Sequence, residues 1–428
     1  MTGLGQYPLW PGLAKKHPRA TGPSVEVLSH AARYLHGRPP SADVVVLQSA
    51  DAMTPFRSEI DALSASSTDR NTQFESITLA AAMDHLQKKD EARVALLWSE
   101  PDGSGRRLMI GLVPYFASRG SYGAPFAIWH VWQHIHSFIS TPLLRAGYEQ
   151  QAVRRFLAFA AAQGAALVEF PMFEAGGAFD KALRDVMAAD GILYRETDRH
   201  ERAFLRSALD EEAYLAAHIR KKKRKEFNRL WNRLAEEGQL EFTVHDGGPD
   251  AGDWVSRFLT LEARGWKGKR GTAMKMRPNE RLWFEEICRG AREAGTLHCT
   301  ELTLDGNPVA MLTSFRSGRG VFTFKIAFDE RYSRYSPGTL LMLKAIGVFL
   351  RDDKVDWVDS CAVPGHPMID HIWAERRTMS SMLVTTPHSF SVPLAGWIAL
   401  AKRGEAAARK KLRVLYDRLQ GDGNEQAD

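Results

Sequence analysis

The chain has 428 residues, 44% hydrophobic and 25% charged, with a formal net charge of +6. That is enough apolar material for two or three cored domains. The excess of base is too small and too scattered to specify nucleic acid, and suits an acidic ligand such as a nucleotide, CoA or an anionic membrane surface.

Three cysteines, Cys288, Cys299 and Cys361, have no metal spacing and no even count, so a reducing cytosol is expected. No secretory signal and no apolar run of membrane-spanning length is read.

In chain order, residues 1–41 are rich in Pro, Gly, Lys and His and read as a flexible lead-in. Val44-Val45-Val46-Leu47 is the first strand. Helical spacing follows at 52–64 and 74–87. Strands at 93–98 and 107–116 flank Pro101-Asp102-Gly103-Ser104-Gly105, a hairpin turn. A strand at 125–132, a helix at 148–163 and a strand at 165–170 close the first half. Residues 175–206 read as a connector.

The second half opens at Ser207-Ala208-Leu209-Asp210, a helix start. A long helix covers 219–237, with Gly238 as its C-cap. A strand at 241–244, a helix at 253–264 and a strand pair at 296–304 and 309–317 follow. Then come a strand at 320–328, a helix at 339–350 and a strand at 355–359. The order is α/β with a mixed sheet. The segment 393–419 alternates Trp397, Ile398, Leu412 and Leu415 with Lys402, Arg409, Lys410 and Lys411. It reads either as an interfacial helix or as a docked helix with a solvated basic face.

Two stretches repeat one pattern. Around 321–364 the chain runs strand, Ser336-Pro337-Gly338-Thr339, helix, then a strand ending at Asp359. Around 126–171 it runs strand, Ser140-Thr141-Pro142-Leu143, helix, then a strand ending at Glu169. A repeat of this length implies two similar half-domains. In the second copy Gly follows Pro at a helix start, where first-turn N–H groups and the helix dipole suit a pyrophosphate. Arg331 and Arg334 add charge. The same residues also fit an ordinary Pro-Gly helix start.

Further motifs lie in order along the second half: Trp266-Lys267-Gly268, Gly306-Asn307-Pro308-Val309-Ala310, Lys325-Ile326-Ala327-Phe328-Asp329-Glu330, Tyr335-Ser336-Pro337-Gly338 and Asp359-Ser360-Cys361. Together they resemble the GNAT acyltransferases of the cellulose-biosynthesis-associated (CelD-type) branch, related to the Fem-type ligases with two GNAT-like halves. The resemblance spans about 44–385 and is strongest over 207–378.

It implies a tandem GNAT-like α/β fold, each half a mixed, mostly antiparallel twisted sheet with flanking helices. The expected division is a flexible segment at 1–41, an acceptor-side half at 42–200, a donor-site half at 201–385 and a basic helix and tail at 386–428. It also implies that the strand at 321–327 splays from that at 355–359. Backbone N–H groups at Ile326, Ala327 and Phe328 would hold an acyl-CoA thioester carbonyl. Arg334, Ser336, Gly338, Thr339 and Leu340 would hold the pyrophosphate. The turn has fewer glycines than the general GNAT pattern, which leaves a carrier-protein thioester as an alternative donor.

Four residues are candidates for catalysis. Asp359 ends a buried strand and serves either as general base or as a cap of the next turn. His366 shares the base role or is structural. Lys325 reaches a phosphate, a carboxylate or solvent. Tyr335, with Tyr332, is a candidate to protonate the leaving thiolate. For the acceptor, Trp266 and Lys267 lie in a loop fit to close over an anion. Trp129 and His130, with Trp132, His134 and His136, read as an aromatic wall of the cleft or as core; the His spacing is poor for a metal. The run from Arg220 to Lys225 suits a phosphate-bearing acceptor or is a solvated helix face.

The expected activity is N-acyl transfer from a thioester to a primary amine by direct attack, with no metal. The resemblance points to an amine of an envelope or exopolysaccharide precursor. Alternatives are N-acylation of an amino lipid such as a sphingoid base, Fem-type transfer from aminoacyl-tRNA, and a non-catalytic nucleotide-binding regulator. The expected place is cytoplasmic, with peripheral contact to the inner membrane face through the C-terminal helix, and no nucleic-acid partner. Walker, dinucleotide-fold and Ser-His-Asp signatures are absent from the sequence, which lowers NTPase, dehydrogenase and hydrolase readings.

Overall fold

A computed structural model describes residues 22–29, 42–87, 91–119, 126–245 and 251–387. Most of the lead-in and the basic segment at 393–419 lie outside the described residues.

The first half contributes strands β1 (Val25–Leu28), β2 (Val44–Leu47), β3 (Arg93–Trp98), β4 (Met109–Arg119), β5 (Ala127–Val131), β6 (Leu143–Leu144), β7 (Ala165–Glu174) and β8 (Tyr194–Leu205). Its helices are α1 (Arg57–Ser66), α2 (Ser76–His85), α3 (Glu149–Ala162) and α4 (Ala178–Asp190). The second half contributes β9 (Leu240–His245), β10 (Leu297–Leu304), β11 (Asn307–Ser317), β12 (Gly320–Phe328), β13 (Trp357–Asp359) and β14 (Glu375–Thr385). Its helices are α5 (Glu211–His218), α6 (Lys221–Ala235), α7 (Ala251–Arg264), α8 (Trp266–Lys269), α9 (Pro278–Glu293) and α10 (Pro337–Arg351).

The expected repeat is present as two parallel strand pairs. β5 pairs with β7 across α3, and β12 pairs with β13 across α10. The halves do not carry separate sheets. One mixed, mostly antiparallel sheet runs β1-β2-β3-β4-β5-β7-β14-β8-β13-β12-β11-β10-β9, with β6 beside β4. The join is an exchange of final strands. β8, which ends the first half, pairs with β13 of the second. β14, which ends the second half, pairs with β7 of the first. β8 and β14 lie antiparallel along each other, with Arg202 opposite Arg377.

Two apolar layers hold this sheet. One runs from the first half to α7 and α9 through Trp254, Phe258, Trp283 and Phe284. The other joins α5, α6 and α10 to β10–β12 through Tyr214, Phe227, Leu234, Leu341 and Ile346. Both faces of the second half's sheet are therefore covered, which is why β10 is buried along its whole length and β11 along most of it, polar residues included.

Candidate active site

β12 and β13 are neighbours only through Gly320–Trp357, Val321–Val358 and Phe322–Asp359. Beyond that point they diverge. Thr323 closes the vertex by donating its hydroxyl to the Ser360 carbonyl at 2.7 Å. The gap is a cleft of about 220 Å³, bordered by Thr323, Lys325, Ile326, Cys361, His366 and Met368.

Strand geometry fixes which backbone groups face it. The Asp329 N–H bonds to the Val309 carbonyl on β11 at 2.9 Å. Backbone direction alternates along a strand. Ala327 therefore also faces β11, and the N–H groups of Ile326 and Phe328 point into the gap, where β13 no longer accepts them.

A β-bulge shapes the opposite side. The β11–β12 register slips between Thr313 and Ser314, so Phe324 is the extra residue. Phe324 packs on Trp283 and Phe284, and Lys325 turns towards α7. Lys325 Nζ lies 3.5 Å from Glu262 Oε1, and Lys267 Nζ lies 3.0 Å from the same oxygen. Glu262 Oε2 accepts the Met274 N–H at 2.9 Å. Burial pushes the Glu262 carboxyl up, but the two lysines outweigh it and hold it below its ordinary value. Burial draws the Lys325 ammonium down, opposed by Glu262 and reinforced by Lys267. The first half reaches this region too. His136 stacks on Trp283 with 4.8 Å between centroids, and its Nε2 lies 3.0 Å from Glu280 Oε2. Burial and the nearby Lys325 pull its pKa to about 3, so it is neutral at physiological pH.

His366 borders the cleft, and its Nδ1 accepts the Met368 N–H at 3.3 Å. The neutral ring then carries its proton on Nε2, which makes it a donor. Burial lowers its pKa, with Asp370 opposing.

Several expected residues take other places. Asp359 is fully buried: its Oδ2 accepts from Arg202 at 2.6 Å and Arg377 at 2.8 Å, and its Oδ1 from the Cys361 N–H at 2.9 Å. Burial raises this carboxyl, but the two guanidiniums outweigh it and keep it ionised. It is a clasp between exchanged strands, closed to a substrate proton. Tyr335 is likewise not in the cleft; its hydroxyl donates to Glu237, and that carboxylate raises its pKa. Arg334 also bonds Glu237, at 2.8 Å.

The Ser336–Leu340 turn does start a helix. Ser336 adopts a left-handed conformation at φ 52°, and Pro337 opens α10. The Thr339 and Leu340 N–H groups bond back to the Ser336 carbonyl. Among the described residues, Gly338 N–H is the first-turn donor with no backbone acceptor. A Cβ on Gly338 would meet Phe328, Ile326 and Met368 at 3.5–3.6 Å, ordinary contact, so this glycine packs on the cleft wall and does not bare its backbone face to solvent.

On the acceptor side, Trp266 and Lys267 form the short helix α8 in place of a loop. Trp266 is 48% exposed. Trp129 and His130 belong to the first half. Trp129 stacks on Tyr115 in the core, and His130 bonds Glu169 and Ser118, both at 2.8 Å. The first-half side chain near Lys325 is His136, with His134 behind it against Trp283. Glu262 and Glu280 went unread, and the approach of His136 to them was not foreseen, because their meeting depends on long-range packing. The signal available was the mid-strand Lys325, which needs a carboxylate partner.

Residues 221–363 match the family model described as an acetyltransferase (GNAT) domain. No curated protein matches the chain. Among solved structures, a conserved protein of unknown function from Bacteroides thetaiotaomicron superposes with a TM-score of 0.50 at 13% identity, covering 77% of this chain and 96% of that one. FemX superposes with a TM-score of 0.51 at 11% identity, covering 80% of this chain and 98% of that one. At such identities these neighbours speak for the fold. The diverging strands agree with the family match over residues 221–363, and together they support an acyltransferase.

Proposed function

We propose that the protein is an N-acyltransferase that moves an acyl group from a CoA thioester to a primary amine by direct attack. The observation that carries this reading is the gap between β12 and β13, with the Ile326 and Phe328 N–H groups directed into it. Two fixed donors at a carbonyl oxygen stabilise the charge that grows as the amine nitrogen bonds to the acyl carbon. The C–S bond then breaks and the thiolate leaves, its charge hydrogen-bonded by the His366 Nε2–H. With Asp359 sealed by two arginines and His366 Nδ1 engaged by Met368, the proton lost by the amine goes to Lys325. Burial, by lowering its pKa, raises the fraction of neutral amine able to accept it. The α10 dipole favours the pyrophosphate.

The resemblance to the cellulose-biosynthesis-associated branch supports an amino-sugar or related envelope precursor as acceptor. Thiol release from acetyl-, hexanoyl- and palmitoyl-CoA, with and without glucosamine or sphinganine, tests the reading. Amine-dependent release is expected, cut at least about 100-fold by Lys325→Met, the scale of a lost acid–base group. Absence of both binding and release with every donor would discard it.

A further inference from the structure

A second concavity lies across α10 from the thioester cleft. It measures about 390 Å³, inside the roughly 300–1,000 Å³ range of small-molecule sites. Its floor is apolar: Leu215, Ile219, Phe227, Trp231, Leu340 and Leu343 from α5, α6 and α10. Two cations, Arg224 and Lys344, stand on its wall. Among the described residues neither is in an ion pair. Arg224 Nε is spent on the Ile219 carbonyl, and Lys344 Nζ sits 4.7 Å over the Trp231 ring.

The lining also holds Glu211 and Glu212. Glu211 is taken by Arg351 at 2.8 Å. That leaves Glu212 against Arg224 and Lys344. Arg220, Lys221, Lys222 and Lys225 are exposed at the start of α6, next to the wall residue Arg224. The wall thus sets two cations against one carboxylate left over, with four further basic residues beside Arg224, and the floor is apolar.

This combination selects a ligand with one apolar chain and an anionic head. A basic helix face with no apolar floor beside it would need no such ligand, because charge runs are ordinarily solvated. Here the charges border a hollow whose floor includes the buried Ile219, Phe227, Leu340 and Leu343. We infer that the groove between α5, α6 and α10 binds a single-chain anionic amphiphile, with the chain on Leu215, Phe227 and Leu343 and the phosphate or carboxylate between Arg224 and Lys344. The sign of the rim excludes a cationic head, so a sphingoid base does not fit this groove. The inference is independent of the thioester reading, since the groove and the cleft share only α10 as a wall.

Dodecyl phosphate, kept below its micelle concentration, is the probe, titrated calorimetrically into the full chain. One site per chain is expected. Inorganic phosphate, dodecyl maltoside and dodecylamine should each bind at least 10-fold more weakly. Leu343→Glu should weaken dodecyl phosphate at least 10-fold, as should Lys344→Glu, a surface change that leaves the floor intact and so answers for folding. Release of thiol from acyl-CoA by Lys344→Glu should stay near the parent rate, keeping the two sites distinguishable. Equal binding of the maltoside, multiple sites, unchanged affinity in both variants, or no binding at all would each overturn the inference.

Discussion

At the scale of single residues, the buried charges have separable duties. Asp359 neutralises Arg202 and Arg377, whose side chains are 2% and 4% exposed. Asp359→Asn leaves the buried Arg202 without a carboxylate and Arg377 with Glu174 alone, and should cost about 3–5 kcal/mol, read from denaturant unfolding. Its carboxyl is held below the ordinary 3.8. Its stabilisation is thus full above that value and is lost as pH falls through the lower folded pKa. The variant should lose this acid-side dependence.

In the proposed mechanism Lys325 takes the amine's proton, and its environment would set the alkaline rise of the rate. Burial lowers its pKa, Glu262 raises it, and Lys267 lowers it. Glu262→Gln should therefore move the rising limb of kcat/KM to lower pH, and Lys267→Met should move it to higher pH. A pH–rate profile of the three proteins checks both signs; unmoved limbs would take Lys325 out of the proton path. Lys325 was legible in the sequence as a lysine in an apolar strand. Asp359 was left between general base and turn cap, because a carboxylate at a strand end looks the same whether it faces substrate or two arginines; the Cys361 N–H that it accepts fits the cap. Those arginines lie 157 and 18 positions away.

At the scale of elements, most helices and strands were legible from period and turn chemistry. β3, β10, β11, β12, α3, α7 and α10 fall within a few residues of expectation. The misses share a cause. β8 reads Tyr-Arg-Glu-Thr-Asp-Arg-His-Glu-Arg over most of its length, charge that looks like a linker, yet its backbone is fixed by β14 and β13 on either side. α4 and α9 also went unread, although α9 buries Trp283 and Phe284 behind the bulge at Phe324. α10 was read correctly, but its Gly338 serves packing. Gly338→Ala fits the 3.5–3.6 Å surroundings and should raise helix stability by up to about 1 kcal/mol. Acyl-CoA affinity should change by less than about twofold. Gly338→Asp drives a charge against Phe328 and Ile326 and should lower the melting temperature. Thermal melts with calorimetry of CoA binding distinguish these outcomes. A large affinity loss in the alanine variant would restore the glycine to direct ligand contact.

At the scale of the molecule, the two halves share one sheet, each completing the other's. The exchange of β8 and β14 was invisible in the sequence, which suggested two repeats and gave no sign that their final strands cross over. Its consequence is that the match at 221–363 does not delimit an independent folding unit. A fragment spanning 207–387 lacks β8 and leaves the edge of β13 and one side of β14 unpaired, while β14 also lacks β7. Such a fragment should be insoluble or without a cooperative melt, and the full chain should unfold in a single transition by circular dichroism and intrinsic fluorescence alike. A fragment that melts cooperatively would show that the exchange is dispensable.

The central claim is that the gap between β12 and β13 is where the thioester sits. A crystal structure with a thioether analogue of acyl-CoA, whose acyl carbonyl cannot be cleaved from sulfur by the amine, tests it most directly. The carbonyl oxygen is expected within about 3 Å of the Ile326 or Phe328 nitrogen, with the acyl carbon facing Lys325. An analogue bound elsewhere, with the gap between the strands empty, would contradict the account.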